Sequence, residues 1–150
     1  MRSLLFSWEI VEWRILFRRV LFPLNTDCNS TPVTHLLTTH LPSHISAFHP
    51  IVTRDFRPPK PSPAGILHIA KAWDVDTSGA SPDSKSRKQL PLIMVGDSID
   101  DIIAGYDAGA LTVLVKSPGK EELEVDERTH VVVERLDELV GLLERGIEAR

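Results

Sequence analysis

The sequence predicts an α/β protein with a doubly wound, Rossmann-like parallel sheet. The first observation is the apolar run Leu92–Val95, which is followed at once by Gly96, Asp97 and a segment of helical spacing. The second is another apolar run, Thr112–Val115, which comes shortly after that helix ends near Gly109. A strand, a helix and a second strand joined by short turns are typical of a parallel sheet with both faces covered.

The remaining segments continue this alternation of strands and helices. The predicted strands are Val20–Thr26, Pro50–Thr53, Leu92–Val95, Thr112–Val115 and His130–Val133. The predicted helices are one from Ser30 to before Pro42, one over Ala64–Trp73, one over Ile99–Ala108, and a final amphipathic one carrying Leu136, Leu139, Val140 and Leu143. The first two helices begin with a hydroxyl residue followed closely by proline, which suits a first turn because proline needs no backbone partner there.

Composition indicates how the chain is divided. A length of 150 residues is enough for one domain with one core. Residues 1–22 form an atypical apolar or amphipathic segment, and its acidic and basic residues argue against a membrane span or a targeting peptide. We expect residues 23–150 to form a partial domain, with residues 76–90 as a flexible loop because Thr77–Arg87 is rich in Ser, Gly, Pro and charge.

Charge and cysteine content limit the functional class. The net charge of −4 does not favour nucleic-acid binding, which usually requires a basic surplus. The single cysteine, Cys28, cannot form an internal disulfide, so nothing points to an oxidising compartment. We therefore expect a cytoplasmic protein with neither a nucleic-acid nor a membrane partner.

Three carboxylates follow the Leu92–Val95 strand. Asp97 comes directly after it, and Asp100 and Asp101 lie within the first turn of the next helix. Ligands bind at the carboxyl edge of open parallel sheets, and clustered carboxylates repel unless a cation compensates them. A hard ion with oxygen ligands, such as Mg²⁺, fits this cluster. The alternative is that Asp97 caps the helix and the other two acids lie favourably at its positive end.

Lys60 is a candidate partner for these carboxylates. It lies on a proline-rich loop directly after the Pro50–Thr53 strand, so it projects from the same edge of the sheet as Asp97. A lysine beside a carboxylate cluster can neutralise a phosphoryl group and keep the acids ionised. Taken alone, a loop lysine is usually a solvated charge.

Together, the segments KPSPAG and GDSIDDIIAGYDAGA resemble the haloacid dehalogenase (HAD) superfamily, in its phosphoglycolate-phosphatase-like branch. The resemblance covers residues 50–140 and implies a Mg²⁺-dependent phosphatase acting on a small phosphorylated molecule. It implies that Lys60 is the family's third motif. It also implies that Asp97 and Asp101 are the fourth, metal-binding motif, with Asp100 as an auxiliary position. Thr26 is the candidate for the second motif, which binds the phosphoryl group.

The family's first motif has no counterpart in this sequence. That motif is an apolar strand ending in DxDx(T/V), and it supplies the nucleophilic aspartate. The similar segment Asp74–Ser78 follows a helix rather than a strand and stands out of family order. The resemblance places the first-motif strand in the centre of the sheet, between the strands that carry Thr26 and Asp97. We therefore expect an N-terminally incomplete HAD-like core that lacks this strand and the substrate-selecting cap, and that is inactive as given.

Two hypotheses from other functional classes remain open. The chain could be a non-catalytic binding or interaction module on a degenerate fold, with a possible oligomer through an exposed sheet edge. It could also be a receiver-type domain with an acidic pocket, although a receiver carries its phospho-acceptor aspartate after an early strand, and here the acids come late.

Overall fold

The computed structural model of the chain describes residues 24–25, 30–40, 49–78 and 89–147. Strands and helices alternate along these ranges. The strands are β1 (Leu24–Asn25), β2 (Ile51–Val52), β3 (Ile93–Gly96), β4 (Leu111–Val115) and β5 (Val131–Val133). The helices are α1 (Ser30–His40), α2 (Ala64–Ala72), α3 (Ile99–Asp107) and α4 (Glu138–Arg145), with a short 3₁₀ helix at Glu121–Glu124.

All of the strand pairs in the described ranges are parallel, which confirms the predicted α/β class. The described strands form two separate groups, one in the order β1-β2 and the other in the order β3-β4-β5. In the larger group Val113 lies opposite both Val95 and Val131. Strands β1 and β3 therefore have one hydrogen-bonded neighbour each within the described residues, and they do not pair with each other.

The observed elements match the predicted ones within a few residues at their ends. The apolar run before Asp97 forms β3, and the run after Gly109 forms β4. Gly109 has a positive φ of 81°, the left-handed conformation in which glycine commonly terminates a helix. The predictions for residues 1–22, for Thr26 and for loop residues 79–88 lie outside the described residues.

The core lies between the β3-β4 pair and helices α2 and α3. Its main cluster consists of Ile66, Ala70, Leu90, Leu92, Met94, Ala104, Ala108 and Ala110. Helix α3 approaches the sheet closely because it presents small residues, and a Cβ at Gly105 would lie only 2.6 Å from the Cβ of Met94. This contact fixes α3 against β3, and so it fixes the acidic first turn of α3 at the carboxyl end of that strand.

The predicted final helix forms α4, and the described part of the chain covers it little. No residue of α4 is buried by the described part of the chain, and Leu136 and Val140 are exposed. The helix follows β5, which lies at one edge of the three-stranded sheet within the described residues. Among the described residues, no helix is long and apolar enough to cross a membrane.

Candidate active site

Ser98 connects the end of β3 to the start of α3. Its backbone is extended, as is usual for the residue that caps a helix N-terminus. The Ser98 hydroxyl accepts a hydrogen bond from the Asp101 backbone N–H at 3.3 Å and donates one to Asp101 Oδ2 at 2.6 Å. The cap therefore turns the Asp101 carboxylate back towards the end of the strand.

The other oxygen of Asp101 receives Lys60. Lys60 Nζ lies 2.6 Å from Asp101 Oδ1, and the two side chains are 8% and 9% exposed. A Cβ at Gly96 would lie 2.3 Å from the Cβ of Asp101, so the close approach of this carboxylate to β3 requires glycine at position 96. Lys60, Asp101 and Ser98 thus form a hydrogen-bonded group at the carboxyl end of β3, in which the Lys60 and Asp101 side chains are buried and Ser98 is half-buried. We call it the Lys60–Asp101 pair with its Ser98 cap.

Asp97, four positions before Asp101, is in a much more exposed environment. Its side chain is 61% exposed, and a second lysine reaches it from the loop after β4. Lys120 Nζ lies 2.6 Å from the Asp97 carbonyl oxygen and 3.5 Å from Asp97 Oδ2. The carboxyl end of β3 therefore has two lysine–aspartate contacts, one buried and one open to solvent.

Asp55 anchors the loop from which Lys60 extends. The Ser30 backbone N–H donates to Asp55 Oδ2 at 3.2 Å, and the Thr53 hydroxyl donates to the same oxygen at 3.2 Å. The hydrogen bond from the Ser30 backbone is the main cause of the lowered pKa of the Asp55 carboxyl. The ionised carboxylate thus ties the loop after β2 to the first turn of α1.

By resemblance, the described residues are expected to supply ligands for a divalent cation. They contain no group of three or more His, Cys, Asp or Glu side chains arranged to hold a metal ion. Each carboxylate oxygen of Asp101 already accepts a hydrogen bond, one from Lys60 and the other from Ser98. Asp100 is exposed in the first turn of α3. Asp97 is exposed at the strand end and fits one carboxylate position of a Mg²⁺ site, because Mg²⁺ keeps several waters and needs only one or two protein carboxylates.

The structure brings some of the predicted site residues together. Lys60 contacts Asp101, and Asp97 lies at the carboxyl end of β3, the strand before the helix that carries Asp101. Thr26 lies outside the described residues. The excluded segment at Asp74 follows α2 and begins with a turn in which the Asp74 N–H donates to the Lys71 carbonyl, so it does not end a strand.

Sequence reasoning missed Ser98 and Lys120. A hydroxyl residue three positions before an acid at a helix start is a recognised capping pattern, and Ser98 with Asp101 has that spacing. Lys120 follows β4, and residues that follow neighbouring parallel strands meet at one sheet edge. The capping spacing of Ser98 was visible in the sequence, whereas the position of Lys120 after β4 indicated the sheet edge and not its partner.

Comparisons with known proteins agree with this architecture. The sequence profile of the HAD-hydrolase-like family matches residues 59–139, which include Lys60, Asp97 and Asp101. An uncharacterised hydrolase of Saccharomyces cerevisiae is 40% identical over 115 residues, covering 75% of this chain and 47% of the relative. A haloacid dehalogenase-like hydrolase domain-containing protein of Arabidopsis thaliana is 35% identical over 94 residues, covering 57% of this chain and 34% of the relative.

Solved structures show the same fold at low sequence identity. A HAD-superfamily hydrolase from Ehrlichia chaffeensis has a TM-score of 0.60 and 17% identity, covering 93% of this chain and 57% of the other. A family IA, variant 3 HAD hydrolase from Entamoeba histolytica has a TM-score of 0.59 and 20% identity, covering 92% of this chain and 60% of the other. The chain spans less than half the length of the two curated relatives described above. With its parallel sheet and its family profile, the chain belongs to the HAD-like hydrolase family.

Proposed function

We propose that this chain carries the lysine and metal side of a Mg²⁺-dependent phosphatase site for a small phosphorylated molecule. The observation that carries the proposal is the Lys60–Asp101 contact of 2.6 Å, next to the exposed carboxylate of Asp97 at the end of β3. The buried pair holds a cationic group at the sheet edge, where a phosphoryl group would bind. The exposed carboxylate leaves oxygen ligands available to a cation.

In this proposal Asp97 is the protein ligand for Mg²⁺, and Asp100 is an auxiliary acid in the first turn of α3. When bound, Mg²⁺ would neutralise phosphoryl oxygens and orient the substrate. Lys60 would supply a second positive charge towards the same phosphoryl group while Asp101 holds its ammonium in place. Thr26 is proposed as a phosphoryl-binding residue from its position after β1 in the sequence.

We also propose that these 150 residues do not turn over substrate by themselves. Phosphoryl transfer in this family passes through a covalent carboxylate intermediate, and the sequence has no DxDx(T/V) segment after an apolar strand. Within the described residues β1 and β3 do not pair with each other, which is compatible with a further strand between them in related proteins. The chain would then bind a cation and a phosphate group without cleaving a phosphate ester.

Hydrolysis of p-nitrophenyl phosphate tests the statement about turnover. Wild type and Asp97→Asn are compared with and without Mg²⁺, and the expected result is no Mg²⁺-dependent difference between them. A clear Mg²⁺-dependent excess of hydrolysis by the wild type would show that these residues supply a nucleophile, and it would overturn this part of the proposal.

A Mg²⁺ titration separates the proposed site from a non-catalytic interaction module that does not use the acids as ligands. Calorimetry of the wild type, Asp97→Asn and Asp100→Asn compares the two acids at the same change of charge. We expect binding in the wild type, its loss in Asp97→Asn, and a smaller decrease in Asp100→Asn because Asp100 is only auxiliary. Unchanged binding in Asp97→Asn would contradict the metal role.

A further inference from the structure

We propose that Lys120 is a positioning residue that competes with the divalent cation for the Asp97 carboxylate and so sets the affinity of the site. The inference rests on the proposed function, since it requires Asp97 to be the cation ligand. It goes beyond that function because it assigns a role to the loop after β4 in controlling occupancy of the site. The two lysine–aspartate contacts at the end of β3 carry the argument.

The first contact is not exchangeable. Lys60 and Asp101 are buried together, and the second carboxylate oxygen of Asp101 is held by Ser98. Removing Lys60 from Asp101 would leave two charges away from water, which is strongly unfavourable. Asp101 is therefore not available to an incoming cation, and Lys60 stays in place.

The second contact is exchangeable. The Lys120 side chain is 37% exposed and that of Asp97 is 61% exposed, so water screens their attraction. The shorter contact of Lys120 Nζ, at 2.6 Å, is to the Asp97 carbonyl oxygen, while the carboxylate lies 3.5 Å away. Lys120 is thus anchored on the main chain and holds the carboxylate weakly, and a divalent cation with twice the charge can displace it.

The loop holds Lys120 in this place. Gly119 has a positive φ of 80°, which glycine adopts without strain, and it lies directly before Lys120. The Gly119 N–H donates to Glu121 Oε1 at 3.1 Å. Backbone hydrogen bonds from Glu121 itself and from Gly119 lower the pKa of the Glu121 carboxyl, so this turn is closed by an ionised side chain. The ammonium of Lys120 therefore reaches Asp97 from an ordered turn.

The test is a Mn²⁺ titration followed by the electron paramagnetic resonance signal of the free ion. Lys120→Met removes the competing charge and keeps an unbranched side chain of similar length. Lys116→Met is the matched control, because Lys116 lies on the same loop but pairs with Glu124 at 3.2 Å rather than with Asp97. Asp97→Asn reports on the proposed function itself.

We expect Lys120→Met to bind Mn²⁺ about three- to tenfold more tightly than the wild type, as removal of one charge a few ångströms from the carboxylate in a solvated setting implies. Lys116→Met should change the affinity by less than about twofold, because its charge is neutralised locally and the remaining distance is screened. Equal or weaker binding in Lys120→Met would overturn the inference, because a purely structural role for Lys120 gives that result.

The competition by Lys120 and the metal role of Asp97 can be refuted separately. If Asp97→Asn loses Mn²⁺ binding while Lys120→Met leaves the affinity unchanged, the competition is refuted and the metal role of Asp97 stands. If Asp97→Asn binds as tightly as the wild type, the proposed metal site is refuted and the competition is refuted with it. If Lys116→Met tightens binding as much as Lys120→Met, the effect is one of net charge and the specific role of Lys120 is refuted.

Discussion

Lys60 Nζ lies 2.6 Å from Asp101 Oδ1, and this contact joins the loop after β2 to the helix after β3. The two strands belong to different sheet groups in the described part of the chain. The pair therefore connects the two halves of the fold at the edge where ligands bind in open parallel sheets. Its burial makes it part of the structural core of the site as well as a source of charge.

Gly96→Ala tests the close approach of Asp101 to β3. The added Cβ would lie 2.3 Å from the Asp101 Cβ, so the strand or the helix must shift. We expect a loss of about 1–3 kcal/mol in the free energy of unfolding, which is typical of overpacking in a core. Urea denaturation measures this loss.

Gly141→Ala is the matched control for that substitution. The nearest atom to a Cβ at Gly141 would be a guanidinium nitrogen of Arg145 at 3.1 Å, which is the end of a flexible side chain. Alanine is favoured over glycine within a helix by about 1 kcal/mol, so this variant should be as stable as the wild type or slightly more stable. If Gly96→Ala behaved like Gly141→Ala, the packing of Asp101 on the strand would be wrong.

Ser98→Ala tests the cap. The variant loses the acceptor for the Asp101 N–H and the donor to Asp101 Oδ2. We expect a destabilisation of about 1–3 kcal/mol, the combined range for a lost cap and a buried carboxylate oxygen that loses its donor. Thermal and urea unfolding measure it.

Ser62→Ala is the companion variant, since the Ser62 hydroxyl accepts only the Ala64 N–H at 3.3 Å and contacts no carboxylate in the described residues. Its cost should be below about 1 kcal/mol. A Ser98→Ala variant no less stable than Ser62→Ala would argue against the dual role of Ser98.

Asp126→Asn tests a pH-dependent contribution to stability. Hydrogen bonds from the Arg128 side chain lower the pKa of the Asp126 carboxyl, and the guanidinium donates from Nε at 2.8 Å and from a terminal nitrogen at 2.6 Å. The pKa of the Asp126 carboxyl is lower in the folded state than in the unfolded state. Its ion pair with Arg128 therefore stabilises the fold fully above the unfolded pKa of about 3.9, and this stabilisation is lost as pH falls through the folded pKa.

We therefore expect Asp126→Asn to be less stable than the wild type by about 1 kcal/mol at pH 7, and the difference to shrink as pH falls below about 4. Urea unfolding of both proteins across this range measures it. Asp137→Asn, in the exposed pair with Arg135, should have little effect. A wild-type advantage over Asp126→Asn that did not change with pH would contradict this assignment.

The sequence was sufficient to predict the strand, helix and strand between Leu92 and Val115. The two apolar runs there are bounded by glycines, and the spacing between them leaves room for one short helix, so few alternatives exist. The prediction that Lys60 and the acids share one sheet edge follows from the same logic, because the carboxyl ends of parallel strands meet there.

Sequence patterns could not show which carboxylate receives which lysine. Asp97, Asp100 and Asp101 are the same residue type within five positions, and their environments differ only because α3 turns Asp101 inwards while the other two remain exposed. The Lys120 contact depends on the path of the loop after β4, which has no periodic pattern. The exposure of Val140 in α4 could not be predicted either, since amphipathic spacing shows which side of a helix is apolar and not whether another element covers it.

The most direct measurement of the central claim is a double-mutant cycle on Lys60 and Asp101. Lys60→Met and Asp101→Asn are made singly and together, and the free energies of unfolding are obtained from urea denaturation. Each single variant should lose about 3–5 kcal/mol because it leaves a buried charge without its partner. The double variant should recover at least about 1.5 kcal/mol of the summed loss, as expected for residues in contact. The exposed Arg135–Asp137 pair is the control cycle, with an expected coupling below about 1 kcal/mol. A coupling within about 0.5 kcal/mol of zero for Lys60 and Asp101 would contradict the claim that these two residues meet at the edge of the sheet.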